Sequence, residues 1–168
     1  MRHSLRVFLL ASLGFACNSV QPYSVALVDR DVTGASKFPI AIDPNRVGTF
    51  PGKTGSGAGY FYDEVLEYRV WLHPERGAQR LAGDTDYYAA FAEYESALEY
   101  SARTHGAEQP LVLIRQREYV NEPTPGTFTW EKTERLTEWQ VQWLKGSQRG
   151  PNSIADFLAN PRAVQKTP

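Results

Sequence analysis

An α+β fold is what this 168-residue chain predicts: a small antiparallel sheet in the order β-β-α-β-β-β-α, one main helix on one face, and a short C-terminal helix. Three observations predict it. VLEYRVWL (Val65–Leu72) alternates with the period of two that a strand requires. EYESALEYSARTHG (Glu93–Gly106) repeats apolar residues at helical spacing. LVLIRQREYV and TFTWEKT flank the turn-forming NEPTPG as two strands of a hairpin would. Strands grouped around a single long helix give a sheet with that helix packed on one face.

The chain opens with the basic MRHSLR and ten largely apolar residues, Val7 to Ala16, which end in Gly14-Phe15-Ala16 immediately before Cys17. Residues 1–17 read as a secretory signal peptide, too short to span a bilayer as a helix. They also resemble a bacterial lipoprotein signal, in which Cys17 would carry the lipid, although Gly14 stands where such signals favour Leu. A buried N-terminal segment and a misassigned start are the alternatives. Export or lipid anchoring follows from the first reading and a cytoplasmic location from the others. The expected membrane contact is through Cys17 alone.

Residues 18–59 are rich in Pro, Gly, Ser and Asp and keep no sustained period, so they read as an irregular extension and linker. Within them, GTFPGKTGSG invites comparison with a phosphate-binding loop. That loop needs four residues between its first Gly and Gly-Lys-Thr, and only three separate Gly48 from Gly52. It must also follow a buried strand and open a helix, and Pro51 removes one of the N–H donors. It reads as linker. FPIAI (Phe38–Ile42) is a short edge strand at most, because of Pro39.

The folded domain is expected over residues 60–160, with 161–168 as a tail. In the first strand, Leu66, Tyr68, Val70 and Leu72 share one face, while Glu67 and Arg69 lie on the other with Trp71. DYYAAF (Asp86–Phe91) follows as a second strand. The main helix presents Tyr94, Ala97, Leu98 and Ser101 as its apolar stripe, pairs Glu99 with Arg103, and places His105 in its last turn before Gly106. LVLIRQREYV is a single central strand and TFTWEKT its hairpin partner. LTEWQVQWL fits strand and helix alike, and its aromatics favour a strand. SIADFLAN is the C-terminal helix, ended by Pro161.

Eighteen basic and nineteen acidic residues give a formal charge of −1, which offers no electrostatic case for nucleic acid. One cysteine excludes an intrachain disulfide, and three widely spaced histidines give no metal-ligand pair, so no metal is expected. The carboxylate pairs Asp63 with Glu64, Glu118 with Glu122 and Glu134 with Glu138 read as solvated surface charge. No catalytic residue emerges. The candidate binding surface consists of Trp71, His73, Tyr88, Trp130, Trp139 and Trp143, which would receive a protein or small ligand. The same rings would equally suit the core of a small domain.

VLEYRVWLHPERG, DYYAAFAEYESALEYS, GAEQPLVLIRQREYVNEPTPG, RLTEWQVQWLKGS and PNSIADFL, in this order between Phe38 and Leu158, resemble a family of small bacterial proteins described as N-acetyltransferases of the GNAT superfamily. The resemblance implies acetyl-CoA as cofactor and acetyl transfer to an amine. Such enzymes cradle the pyrophosphate with Arg/Gln-x-x-Gly-x-Gly/Ala between a strand and a helix. The nearest string runs from Arg76 to Gly83; in it Gln79-Arg80-Leu81 is followed by Ala82 where Gly is needed, and Gly83 by the negative charge of Asp84. The residues themselves favour a non-enzymatic binding module.

Overall fold

VLEYRVWL forms the first strand, β1 (Glu64–Leu72), and lies inside the sheet with neighbours on both sides. The computed structural model describes residues 36–51, 60–81 and 85–161. The proposed signal, Cys17, Gly52–Gly59 of the linker and most of the C-terminal tail therefore lie outside the described residues. All those described belong to one unit, Gly34–Pro168. The architecture is α+β, as expected. A four-stranded antiparallel sheet has the order β2-β1-β3-β6, where β2 is Tyr87–Phe91, β3 Leu111–Gln116 and β6 Arg135–Gln140. A separate two-stranded hairpin pairs β4 (Tyr119–Thr124) with β5 (Thr127–Glu131). The helices are α1 (Tyr94–Arg103) and α2 (Ser153–Ala159).

One strand more than expected is present, because LVLIRQREYV breaks in two. Arg117 turns its amide to Asp63 Oδ2 (2.6 Å) instead of to a neighbouring strand, and the chain leaves the sheet there. β3 stays in the sheet, whereas β4 carries Val120 into a separate cluster with Ile154 and Phe157 of α2, against which Phe61 and Phe128 pack. β4 also runs on through Pro123, at a shift in register between Asn121 and Thr124. A bulge accommodates a residue without an N–H. LTEWQVQWL divides its two readings: Trp139 lies in β6, and a 3-10 turn over Val141–Leu144 takes Trp143.

On its helix face the sheet buries Val65, Tyr68, Val70, Phe91, Val112, Ile114 and Trp139 around Ala97 of α1. The helix stripe differs from expectation at Leu98, which is exposed, while Tyr100 packs on the core in its place. The helix also stops at Arg103, so Arg103 and not His105 is the cation of its last turn, and exposed His105 lies beyond it. Gly106 then adopts φ 71°, and a Cβ there would lie 2.4 Å from the Ala78 nitrogen. Only glycine fits this close approach.

The outer face is covered as well, which strand alternation did not anticipate. Residues 36–51, irregular apart from a 3-10 turn over Pro44–Arg46, start beside α1, where Phe38 enters the helix-side core and Lys37 N–H meets Glu95. They then pass the short end of β2, bonding Ala41 N–H to Ala92 O and Ile42 N–H to Val65 O. That occupies part of the β1 edge that β2 leaves unpaired, a common way to blunt a sheet edge. The strap finishes on the outer face, where Phe50 packs with Leu66 and Leu113. The register shifts between Val65 and Glu67, so Leu66 is the extra residue of a bulge and joins this outer cluster, not the Tyr68 face expected of it. The fold thus begins well before residue 60.

Candidate functional site

Along the second half of β1, alternate residues Arg69 and Trp71 face the outer side, and His73 continues the series just past the strand end. Across the ladder Ala90 stands opposite Arg69 and Tyr88 opposite Trp71. Two residues further the same register brings Asp86 beside His73, with 3.0 Å between Asp86 Oδ1 and Nδ1. Three of the six residues expected to form a binding surface, Trp71, His73 and Tyr88, therefore meet at one corner of the sheet.

Beneath this corner is a charged cluster that water does not reach. Arg69 and Glu67 are both 0% exposed. Arg69 donates from Nε to Glu67 Oε1 and from Nη1 to Glu138 Oε1, each at 2.6 Å, and from Nη2 to the carbonyls of Phe50 and Pro51. Glu67 also accepts from the Gly48 amide, and Glu138 from Trp71 Nε1. Burial by itself would lower the Arg69 pKa, but hydrogen bonds to Glu138 and Glu67 reverse the sign and leave it raised. Tyr88 lies with its ring 4.3 Å from the guanidinium and donates to Phe50 O. Burial raises its phenol pKa, against the lowering influence of Arg69. Trp71 packs its ring 5.1 Å from that of Tyr88. The Gly48 amide, part of the loop that resembled a phosphate cradle, is engaged by a carboxylate of the protein itself.

The reading of acidic residues as solvated charge fails for Asp63, Glu64 and Glu138 and holds for the exposed Glu122 and Glu134. Glu138 is buried in this cluster, Glu64 pairs with Arg115 and Arg117, and Asp63 pairs with Arg149. Glu122 accepts the Gly126 amide in the hairpin turn, and Glu134 lies 3.5 Å from Arg115. The partners of Glu138, Glu64 and Asp63 are distant in sequence, so no local spacing signals them. The Glu67-x-Arg69 pair is legible as two charges on one face of a strand, yet nothing local shows that the face is covered.

At the strand end, His73 is enclosed by carboxylates. Its Nδ1 lies 3.0 Å from Asp86 and 3.5 Å from Glu75, and its Nε2 lies 2.9 Å from Glu108, which also accepts from Arg76. Beside Glu108 opens a cleft of about 500 Å³ lined also by Tyr94, Pro110, Leu111, Gln140 and Gln142. His73 was expected among the surface residues. Its three carboxylate neighbours were not, and only Glu75, two residues on, is near it in sequence.

The other three aromatic candidates lie elsewhere. Trp139 is 1% exposed, packed edge-on to Tyr60 and Tyr62 in the helix-side core, and is corrected from binding residue to core residue. An inward-facing position on β6 sends its ring beneath the helix layer. Trp143 is half-buried against Tyr60 and belongs with it. Trp130 is exposed on β5, away from the corner, and donates to Glu118. No helix among the described residues is long and apolar enough to cross a membrane. Family models, curated proteins and solved structures were each compared with the chain, and none matches it.

Proposed function

We propose that this chain is a non-enzymatic binding module that receives a protein segment or small ligand at the corner bounded by Trp71, Tyr88 and His73 and at the cleft beside Glu108. One observation carries the reading against acetyl transfer. Arg76, where the resemblance to an acetyltransferase would begin its cofactor loop, ends a 3-10 turn over Pro74–Arg76, and among the described residues no helix opens before the strand β2. A pyrophosphate cradle draws its N–H donors and its favourable dipole from a helix opening at that point. The corner instead supplies half-buried aromatic rings, and the cleft adds carboxamides and apolar side chains. Such mixtures suit recognition through shape and a few hydrogen bonds.

Thermal unfolding of the full chain with and without acetyl-CoA tests this. A ligand at a hundred times its dissociation constant stabilises by ~2.7 kcal/mol, several degrees in a domain of this size. No shift is expected. A shift of several degrees would overturn the reading in favour of the acetyltransferase.

A further inference from the structure

We propose that His73, Glu75 and Asp86 hold a divalent transition-metal ion at the end of β1. One ligand atom from each lies within 4.8 Å of the others, although the three come from a strand end, a 3-10 turn and the approach to β2. The inference goes beyond the binding reading and does not rest on it, since a held ion is compatible with a catalytic or a non-catalytic corner.

The histidine carries the argument. Its side chain is only 10% exposed, yet neither ring nitrogen makes a hydrogen bond among the described residues. A buried polar group in that condition costs roughly 1–3 kcal/mol unless something satisfies it. Oxygen atoms are close enough, but those of Asp86 and Glu75 flank Nδ1 at 3.0 and 3.5 Å without lying where a single N–H would point. Ligands around a shared ion are disposed in this way. A tetrahedral ion ~2.0–2.1 Å from each ligand sets neighbouring ligand atoms roughly 3.4 Å apart. Glu108 stands 2.9 Å from Nε2 on the far side of the ring, so Nδ1 is the nitrogen that faces the two oxygens.

The donor set names the class of ion. One imidazole nitrogen with two carboxylate oxygens suits zinc or manganese, whereas magnesium favours oxygen ligands in a strict octahedron. Glu75 and Asp86 are 59% and 47% exposed, so water can complete the coordination.

Calorimetric titration of the chelator-treated full chain with Zn²⁺, alongside ring-nitrogen NMR of His73, provides the test. The expected result is one ion bound at the corner, a shift of the His73 Nδ1 signal larger than that of Nε2, and weaker binding of Mg²⁺. Glu75→Gln and Asp86→Asn alter exposed side chains and leave the core intact. Each should weaken Zn²⁺ binding roughly tenfold or more, since loss of even an outer-shell partner costs that much. Absence of binding and of the NMR shift at millimolar Zn²⁺ would overturn the proposal. So would binding that both variants leave unchanged, because the ion would then lie elsewhere.

Discussion

The guanidinium of Arg69 joins two buried carboxylates and two strap carbonyls. Its energetic role differs from that of surface pairs such as Glu99–Arg103, which contribute ~0.3–0.5 kcal/mol. Desolvating three charges is costly, and the cluster persists because every group in it has a partner. Arg69→Met removes the shared cation and leaves Glu67 and Glu138 facing each other in the dark of the outer face. It should destabilise by ~3–5 kcal/mol, read as a lower urea midpoint at unchanged slope. Loss of the Phe50 and Pro51 anchors would accompany it, so strap amides such as those of Ala41 and Ile42 should exchange faster.

At the scale of elements, the hairpin depends on the short helix. A two-stranded ribbon is marginal by itself, and β4–β5 acquires its core from Ile154 and Phe157 of α2. Phe157 meets Phe128 edge-on at 5.0 Å and Phe61 at 6.1 Å. Phe157→Ala should cost ~3–5 kcal/mol at that cluster. Hydrogen exchange would show the β4 and β5 amides losing protection while β1 and β3, held by the separate helix-side core, keep theirs. Uniform loss across both sheets would instead mean that the hairpin and the main sheet unfold as one unit. The period-two and helical patterns made β1, β2, α1 and the hairpin visible in the sequence, because apolar residues recur in each at the period of its own element. The break at Arg117 was not visible: it depends on Asp63, fifty-four positions away.

For the molecule as a whole, tyrosine burial sets the alkaline limit. Burial raises the phenol pKa of Tyr62, Tyr68 and Tyr88 above the usual 10.0; for Tyr68 the charge of Glu95 adds to burial. Above pH 10.0 the unfolded chain releases these protons while the folded protein still holds them. The unfolded state then binds fewer protons, and stability falls as pH rises. Full stability is therefore expected below that pH, with progressive loss above it. Tyr68→Phe should shed part of this fall and cost ~0.5–1.5 kcal/mol at neutral pH through the lost bond to Pro39 O. Denaturant titrations of both proteins at pH 8 and at pH 11 would check the difference in slope, the pH values bracketing about 10.

The sequence by itself determined the fold class, the two helices and most strands of this protein, because periodicity records which face of an element avoids water. It also marked Trp71, His73 and Tyr88 as noteworthy. Only the tertiary structure decided that Trp139 is core, that Phe38 and Phe50 belong to the fold, and that Glu67, Arg69 and Glu138 share a water-free cluster. The same holds for the carboxylates around His73, two of which are distant along the chain. The physical reason is common to all of these. A residue's period reports the face it occupies, whereas its burial and its partners depend on what later covers that face, and here the cover comes from an aperiodic strap and from strands separated by long intervals of chain.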